Sequence, residues 1–439
     1  MLSSLGFKNF KSWPEIQFDL GKITAFFGTN SSGKTSILQV LLMLKQTTDS
    51  ADRRQVIELG NEKTPVSLGM FEDIIFEHDS HKKLQLNLAW QQKQEEQELS
   101  LDYGFSVDIA QIEQGHRRLE VDAFSYHIAQ QSYGMKKDNK TNAYRLEPKG
   151  DLKKAQGRPY DITPPPTKCY GFPDELRLSY QNGGILADLE LAFENFFKHV
   201  YYLGPLRDYP KRVYTWAGSQ PADMGHRGED VVDALLVSRE YPLKKKRGKG
   251  AKITVETKVA EWLKALGLIE NFSIERIGKD SNLYRVMISK YGAKTKVAIT
   301  DVGIGVSQIL PVLTLCYYVP KGSIIILEQP EIHLHPSVQA GLADVFIDAV
   351  KTRNIQIILE SHSEHLLKRF QRRIAEELLT QDSLKLYFCK FEEGRSGLEP
   401  LKLDLFGNIT NWPKDFFGDS FTEMSAMAKA QLQRKLKTP

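Results

Sequence analysis

The segment GTNSSGKT, Gly28 to Thr35, fits the pattern GxxxxGK[ST] and constrains this chain more than any other stretch. An apolar run, Ile23 to Phe27, precedes it, and Ile37, Leu38, Leu41, Leu42 and Leu44 follow at helical spacing, so strand, loop and helix are predicted in that order. Glycines in such a loop let successive backbone N–H groups converge on a phosphate at a helix N-terminus. Lys34 then reaches the β- and γ-phosphates, and Thr35 offers its hydroxyl to Mg²⁺. Gly28, Asn30, Ser31, Ser32, Gly33 and Ser36 complete the cradle expected for ATP. A Gly/Ser turn that merely caps a helix would leave Lys34 without a role.

The last 140 residues alternate strand and helix patterns, which implies a mostly parallel α/β sheet. Strands are predicted at Ile324 to Leu327, Ile355 to Glu360 and Leu384 to Phe391, with helices at Val338 to Val350 and Glu364 to Ile374. The first of these strands runs into Glu328, Gln329, Pro330 and Glu331, so a carboxylate ends a buried apolar strand where a second Mg²⁺ contact belongs. Glu360, Ser361 and His362 end the next strand, at the sheet edge where open α/β folds bind ligands. His362 is either a donor to a γ-phosphate or a surface histidine beside the helix capped by Ser363.

Between residues 60 and 180 the apolar period drops to two: Leu84, Leu86, Leu88 and Trp90, then Leu99, Leu101, Tyr103, Phe105 and Val107 across a Gln/Glu-rich turn. This predicts an antiparallel hairpin in a β-rich insertion. Lysines, glycines and the triplet Pro164 to Pro166 make Lys136 to Lys168 a long exposed loop. Helices are predicted at Leu186 to Phe197 and Glu256 to Leu266, around an extended YYLGPLR segment, Tyr201 to Arg207.

Bulk charge does not assign a polyanionic partner, since 59 basic and 55 acidic residues leave a net charge of only +4. Three cysteines, Cys169, Cys316 and Cys389, form neither a CxxC pair nor a closely spaced framework, which points to a reducing compartment. The N-terminus lacks the apolar run of about 7 to 15 residues that marks a secretory signal. The longest mainly apolar stretch, Ile309 to Val319, contains Pro311, so a cytoplasmic chain that spans no membrane is expected.

The loop GTNSSGKT after an FKNFKS opening, then TDVGIGVSQILPVL (Thr300 to Leu313), LEQPEIHLHP (Leu327 to Pro336) and ESHSEHLL (Glu360 to Leu367), resembles the ABC-class ATPase heads of the SMC, RecF and overcoming-lysogenization-defect group. Among these it is most similar to prokaryotic AAA-type proteins found with phage-defence genes, whose poorly characterised C-terminal domain resembles the NWPKDFF stretch at Asn411 to Phe417. The motifs cover residues 1 to 45, 200 to 210 and 295 to 420.

The resemblance implies an α/β P-loop head with a β-rich and helical insertion between Walker A and the signature. It places the head in residues 1–60 and 296–400, a β-rich insertion in 61–200, a helical and basic-loop segment in 201–295 and a tail in 401–439. It also implies that Gly303, Gly305 and Ser307 form a signature loop that closes over ATP held by a second copy. On the same basis Glu328 binds Mg²⁺ with Thr35, His333 to Pro336 touch the partner, and His362 is the switch histidine. The alternatives are a helix start for the glycines and a zinc site for the histidines, although no HExxH is present.

One departure bears on catalysis. Related heads carry a second acid where this chain has Gln329, and an amide orients water but cannot take its proton. General-base help is worth about 10² to 10⁴ in rate, so either Glu331 supplies it or turnover is slow.

The 269 positions from Lys34 to Gly303 are too many for a transporter subunit and, lacking heptads, too few for an SMC coiled coil. Only 77 residues follow His362, less than a nuclease module requires. The expectation is a homodimeric or higher-order ATPase that gates a separate effector such as a nuclease, in phage defence. The rivals are a RecF-like DNA-maintenance ATPase and a nearly inactive nucleotide-dependent scaffold. DNA is a further expected partner through Lys244, Lys245, Lys246, Arg247 and Lys249, unless that run is only a solvated charge cluster. Arg207 has two readings, a contact near the nucleotide or dimer face and a structural ion pair.

Overall fold

A computed structural model describes residues 1–93, 100–114, 116–138, 140–155, 163–243, 253–293, 295–413, 427 and 429–431. The expected turn between Trp90 and Leu99, the basic run Lys244 to Lys252 and part of the NWPKDFF stretch lie outside the described residues in whole or in part.

The chain opens with β1 (Leu2–Phe10), β2 (Trp13–Asp19) and β3 (Ile23–Gly28), which leads through the glycine loop into α1 (Lys34–Asp49). A short α2 (Phe71–Ile74) precedes β4 (Leu84–Lys93), β5 (Ser100–Gln114), β6 (His116–Ile128), β7 (Gln131–Lys137) and β8 (Tyr144–Leu146). Next come α3 (Asp174–Arg177), α4 (Gly184–Lys198), β9 (Val200–Leu203), β10 (Tyr214–Thr215), α5 (Val231–Val237) and α6 (Val255–Ala265). Strands β11 (Asn271–Arg276), β12 (Leu283–Ser289) and β13 (Val297–Ala298) lead to α7 (Ile304–Tyr318) and β14 (Ile324–Glu328). Finally α8 (Pro336–Arg353), β15 (Gln356–Glu360), α9 (Glu364–Ala375), β16 (Leu384–Glu392) and β17 (Arg395–Pro400) complete the order.

The expected α/β sheet is present, in the order β17-β16-β3-β15-β14-β9, and parallel except for β17. Strands β3, β14 and β15 are buried along their whole length, as continuous apolar strands are when both sheet faces are covered. The period of two divides β14 between two cores. Ile325 and Leu327 join the helices α5 to α9 on one face, whereas Ile324 and Ile326 pack with α1 and α4 on the other.

The second core is closed by a seven-stranded antiparallel sheet, β2-β1-β4-β5-β6-β7-β8. The predicted hairpin is β4 with β5, pairing Leu86 with Val107, Leu88 with Phe105 and Trp90 with Tyr103. This sheet also takes in β1 and β2, from the first twenty residues, so the β-rich layer includes the two strands that precede β3 in the chain.

The expected exposed loop from Lys136 to Lys168 is interrupted by β8, and its last residue is buried. The Lys168 ammonium donates to the carbonyls of Thr47 at 2.7 Å, Thr48 at 3.2 Å and Ser50 at 2.7 Å. Carbonyls at a helix C-terminus lack intrahelical partners and attract a cation, which is why this lysine leaves solvent. Among the described residues no helix is long and apolar enough to cross a membrane.

Candidate nucleotide site

The glycine loop sits at the C-terminal end of β3, with β16 on one side and β15 on the other. Gly28 has φ 144°, and a Cβ there would lie 2.2 Å from the Cys389 carbonyl oxygen of β16. Gly33 has φ 92°, and its Cβ would lie 2.6 Å from both Trp13 Nε1 and Ser396 Oγ. Both positions therefore exclude side chains on two counts, backbone conformation and space.

Helix α1 starts at Lys34 with no side-chain hydrogen bond capping its N-terminus. Its first-turn N–H groups and the positive end of its dipole suit an anion. Lys34 is 4% exposed and folds back on the loop, donating to Gly28 O at 3.2 Å and Thr29 O at 2.7 Å. Burial lowers its pKa, with Glu360 opposing. Ser32 is buried and its Oγ has no hydrogen-bond partner. Thr29, Asn30 and Ser31 are exposed, and Thr35 and Ser36 half-buried.

Three buried carboxylates line the adjoining edge. Strand register sets Glu328 of β14 opposite Glu360 of β15, and Glu331 follows in the turn. Thr35 Oγ1 donates to Glu360 Oε2 at 2.7 Å, and Tyr202 OH donates to Glu328 Oε1 at 2.9 Å. Glu331 Oε1 accepts from Ser361 Oγ at 2.8 Å and from the His362 backbone N–H at 2.7 Å, while its Oε2 has no partner. Gln329, with φ 43°, donates its backbone N–H to Glu360 O at 3.0 Å, and its amide nitrogen is 3.5 Å from Glu360 Oε1.

Burial is the main cause that raises all three carboxyl pKa values, and with the neighbouring Glu360 charge it brings Glu328 up to about 7. None of the three forms an ion pair within 4 Å among the described residues. Among those residues, too, no three His, Cys, Asp or Glu side chains converge on one cation position. Mg²⁺ commonly takes one or two carboxylates and completes its shell with substrate phosphates and water. Thr35 and the acidic edge fit a cation that arrives with a nucleotide.

The sequence matches the family described as AAA ATPase domain over residues 1–157 and 242–367, well over half of its length. The chain belongs to the AAA ATPase domain family. A second match, to a protein of unknown function (DUF3696), covers residues 379–427 of this ATPase. No curated protein matches the sequence.

Solved structures similar to this AAA ATPase include an Smc head bound to the C-winged helix domain of ScpA, at 12% identity and TM-score 0.47, covering 92% of this chain and 98% of that one. The SMC head domain from Thermotoga maritima is 11% identical with TM-score 0.41, covering 91% and 99%. An Smc head with an extended coiled coil, bound to the C-terminal domain of ScpA derived from Pyrococcus furiosus, is 10% identical with TM-score 0.46, covering 98% and 99%. These likenesses lie below the level from which shared function follows.

In this AAA ATPase the strand order brings Gly28 to Thr35 together with Glu328, Gln329, Glu331 and His362 at one sheet edge. The His362 side chain is exposed, and its pKa is lowered by partial burial and by the Lys34 charge, which favours neutral imidazole. Gly303 caps α7, Gly305 lies 3.7 Å by its Cβ position from His333 O, and Ser307 Oγ donates to Ile304 O at 2.7 Å. Among the described residues no hydrogen bond joins these three to the loop Gly28 to Thr35. His333 has φ 61°, and His335 caps α8 by accepting from the Ser337 N–H at 3.3 Å.

Arg207 is buried and donates to Pro205 O at 3.1 Å and Glu328 O at 3.4 Å, with Nε unpartnered and its pKa pushed down to about 10 by burial. It binds backbone rather than a carboxylate.

Tyr202 and Lys11 have no site role in the sequence reading, whereas Glu360 is placed there at the ligand-binding sheet edge, with the same signal as Glu328, but given no role. Tyr202 offered only a tyrosine in an apolar run. Lys11 lies in the β1–β2 turn with φ 52°; its ammonium donates to Gln39 Oε1 at 2.6 Å and is influenced by the Glu328 charge.

Proposed function

We propose that this AAA ATPase binds and hydrolyses ATP at Gly28 to Thr35, that two copies associate around the nucleotide, and that the nucleotide state gates a separate effector. The observation that carries the reading is the pairing of an uncapped, glycine-shaped helix start holding Lys34 with a buried acidic edge bonded to Thr35. Lys34 exchanges the Gly28 and Thr29 carbonyls for phosphate oxygens, and the first-turn N–H groups of α1 orient the anion. Thr35 and the acidic edge that includes Glu328 would hold Mg²⁺, which would supply neutralisation of phosphate charge.

Gln329 and Glu331 position water, and His362 donates toward the terminal phosphate. With an amide at 329, hydrolysis is slow unless Glu331 takes the proton. Gly303, Gly305 and Ser307, at the start of α7, close over the nucleotide of a second copy, a role that rests on the motif resemblance. The phage-defence role and the nuclease-type effector rest on the motif resemblance alone.

The test is the mass of the full chain by light scattering with and without ATP, in wild type and Lys34→Ala. ATP should double the mass of the wild type and leave Lys34→Ala unchanged; an ATP-independent mass in both removes nucleotide-driven association.

A further inference from the structure

We infer that Glu360, the last residue of β15, is the carboxylate that holds the divalent cation accompanying the nucleotide at Thr35. This rests on the nucleotide-binding reading of the loop and assigns its cation to a residue other than the strand-end acid of β14. Strand β15 lies between β3 and β14, so its terminal residue is one strand nearer the glycine loop than Glu328. The hydrogen bonds follow that order. Glu360 Oε2 accepts from Thr35 Oγ1 at 2.7 Å, whereas Glu328 Oε1 accepts from Tyr202 of β9, on the side away from the loop. Glu331 turns its Oε1 to Ser361 and His362. Of the three acids, only Glu360 is bonded to the loop.

A hydroxyl that donates its proton to a carboxylate still presents lone pairs, so Thr35 and Glu360 can share one cation without breaking their contact. A further atom on this edge points to a polar ligand: Glu331 Oε2, in a residue 6% exposed, has no partner. The amide of Gln329 also fits the assignment. It faces Glu360 Oε1 at 3.5 Å, where a second acid would crowd another negative charge against the first. Gln329 thus adds no further negative charge beside Glu360.

The experiment uses the full chain, Mn²⁺ as the probe by electron paramagnetic resonance, and ADP. Nucleotide binding is measured in parallel in EDTA. Glu360→Gln should bind metal-free ADP at least as tightly as the wild type, yet lose tenfold or more of the Mn²⁺ affinity seen with ADP; Glu328→Gln should lose less. If Glu360→Gln does not fold, Glu360→Asp carries the same comparison, with a loss of several-fold. Wild-type Mn²⁺ affinity in the Glu360 variant together with a loss in Glu328→Gln overturns the assignment. A wild type that binds no ADP even in EDTA overturns the nucleotide reading itself, and the two failures are thereby distinguished.

Discussion

The indole N–H of Trp13 donates to the carbonyl of Gly33 at 3.1 Å, tying the antiparallel sheet to the turn that starts α1. Trp13 is fully buried, and Ser396 of β17 approaches the same glycine on the same side. Ser12 and Ser396 bond to each other at 2.6 Å, closing the support behind Gly33.

Trp13→Phe keeps most of the buried ring and removes that one hydrogen bond. The expected loss of stability is about 1 kcal/mol, with a several-fold weaker nucleotide affinity because Gly33 is less firmly placed. Trp13→Ala empties the site and should cost about 3 to 5 kcal/mol. Thermal unfolding and nucleotide titration of both variants check this; undiminished affinity in a folded Trp13→Phe removes Trp13 from loop positioning.

On the proposed mechanism Gln329 orients water and Glu331 takes its proton. Gln329→Glu should raise single-turnover hydrolysis toward the about 10² to 10⁴ that a general base supplies, and shorten the closed state. Glu331→Gln should lower it, since the unpartnered Oε2 of Glu331 is the free carboxylate oxygen in the turn. No acceleration in the first and no loss in the second would refute the division.

The pH dependence follows from Glu328. Its pKa in the fold, about 7, lies above that of a carboxyl in the unfolded chain, so between about pH 4.5 and 7 the folded state holds a proton that unfolding releases. The stability linked to this group is complete below the unfolded pKa and lost as pH rises through about 7, on the order of 3 kcal/mol in all. In EDTA, wild-type protein should lose more stability between pH 5 and about 8 than Glu328→Gln does. Parallel melting profiles of the two proteins would contradict it.

Replacing Lys244, Lys245, Lys246 and Arg247 with Ser should weaken DNA binding and flatten its salt dependence if the run contacts phosphates. An unchanged affinity and slope returns it to a solvated cluster.

Local patterns carried the parts of this fold that local physics dictates. Continuous burial at Ile324 to Leu327 and alternation at Leu84 to Trp90 each reflect one strand's surroundings, and both strands are where the periodicity puts them. Partners far apart in the chain depend on strand order, which alternation does not specify. Thr35 meets Glu360 across 325 positions and Tyr202 meets Glu328 across 126. Likewise β1 pairs with β4 through a register that no motif announces, although the alternating burial of Trp13, Ile16 and Phe18 marks its neighbour β2 as half-covered. The Pro- and Gly-containing surroundings of Lys168 predict a loop; what buries it is the set of unpaired carbonyls ending α1.

If the Gly28 to Thr35 loop turns over ATP as proposed, the purified full chain releases phosphate in the steady state. The wild type should hydrolyse ATP slowly but measurably in Mg²⁺, and Lys34→Ala, folded by its melting profile, should fall to the buffer rate. Equal phosphate release by the two proteins would contradict the account.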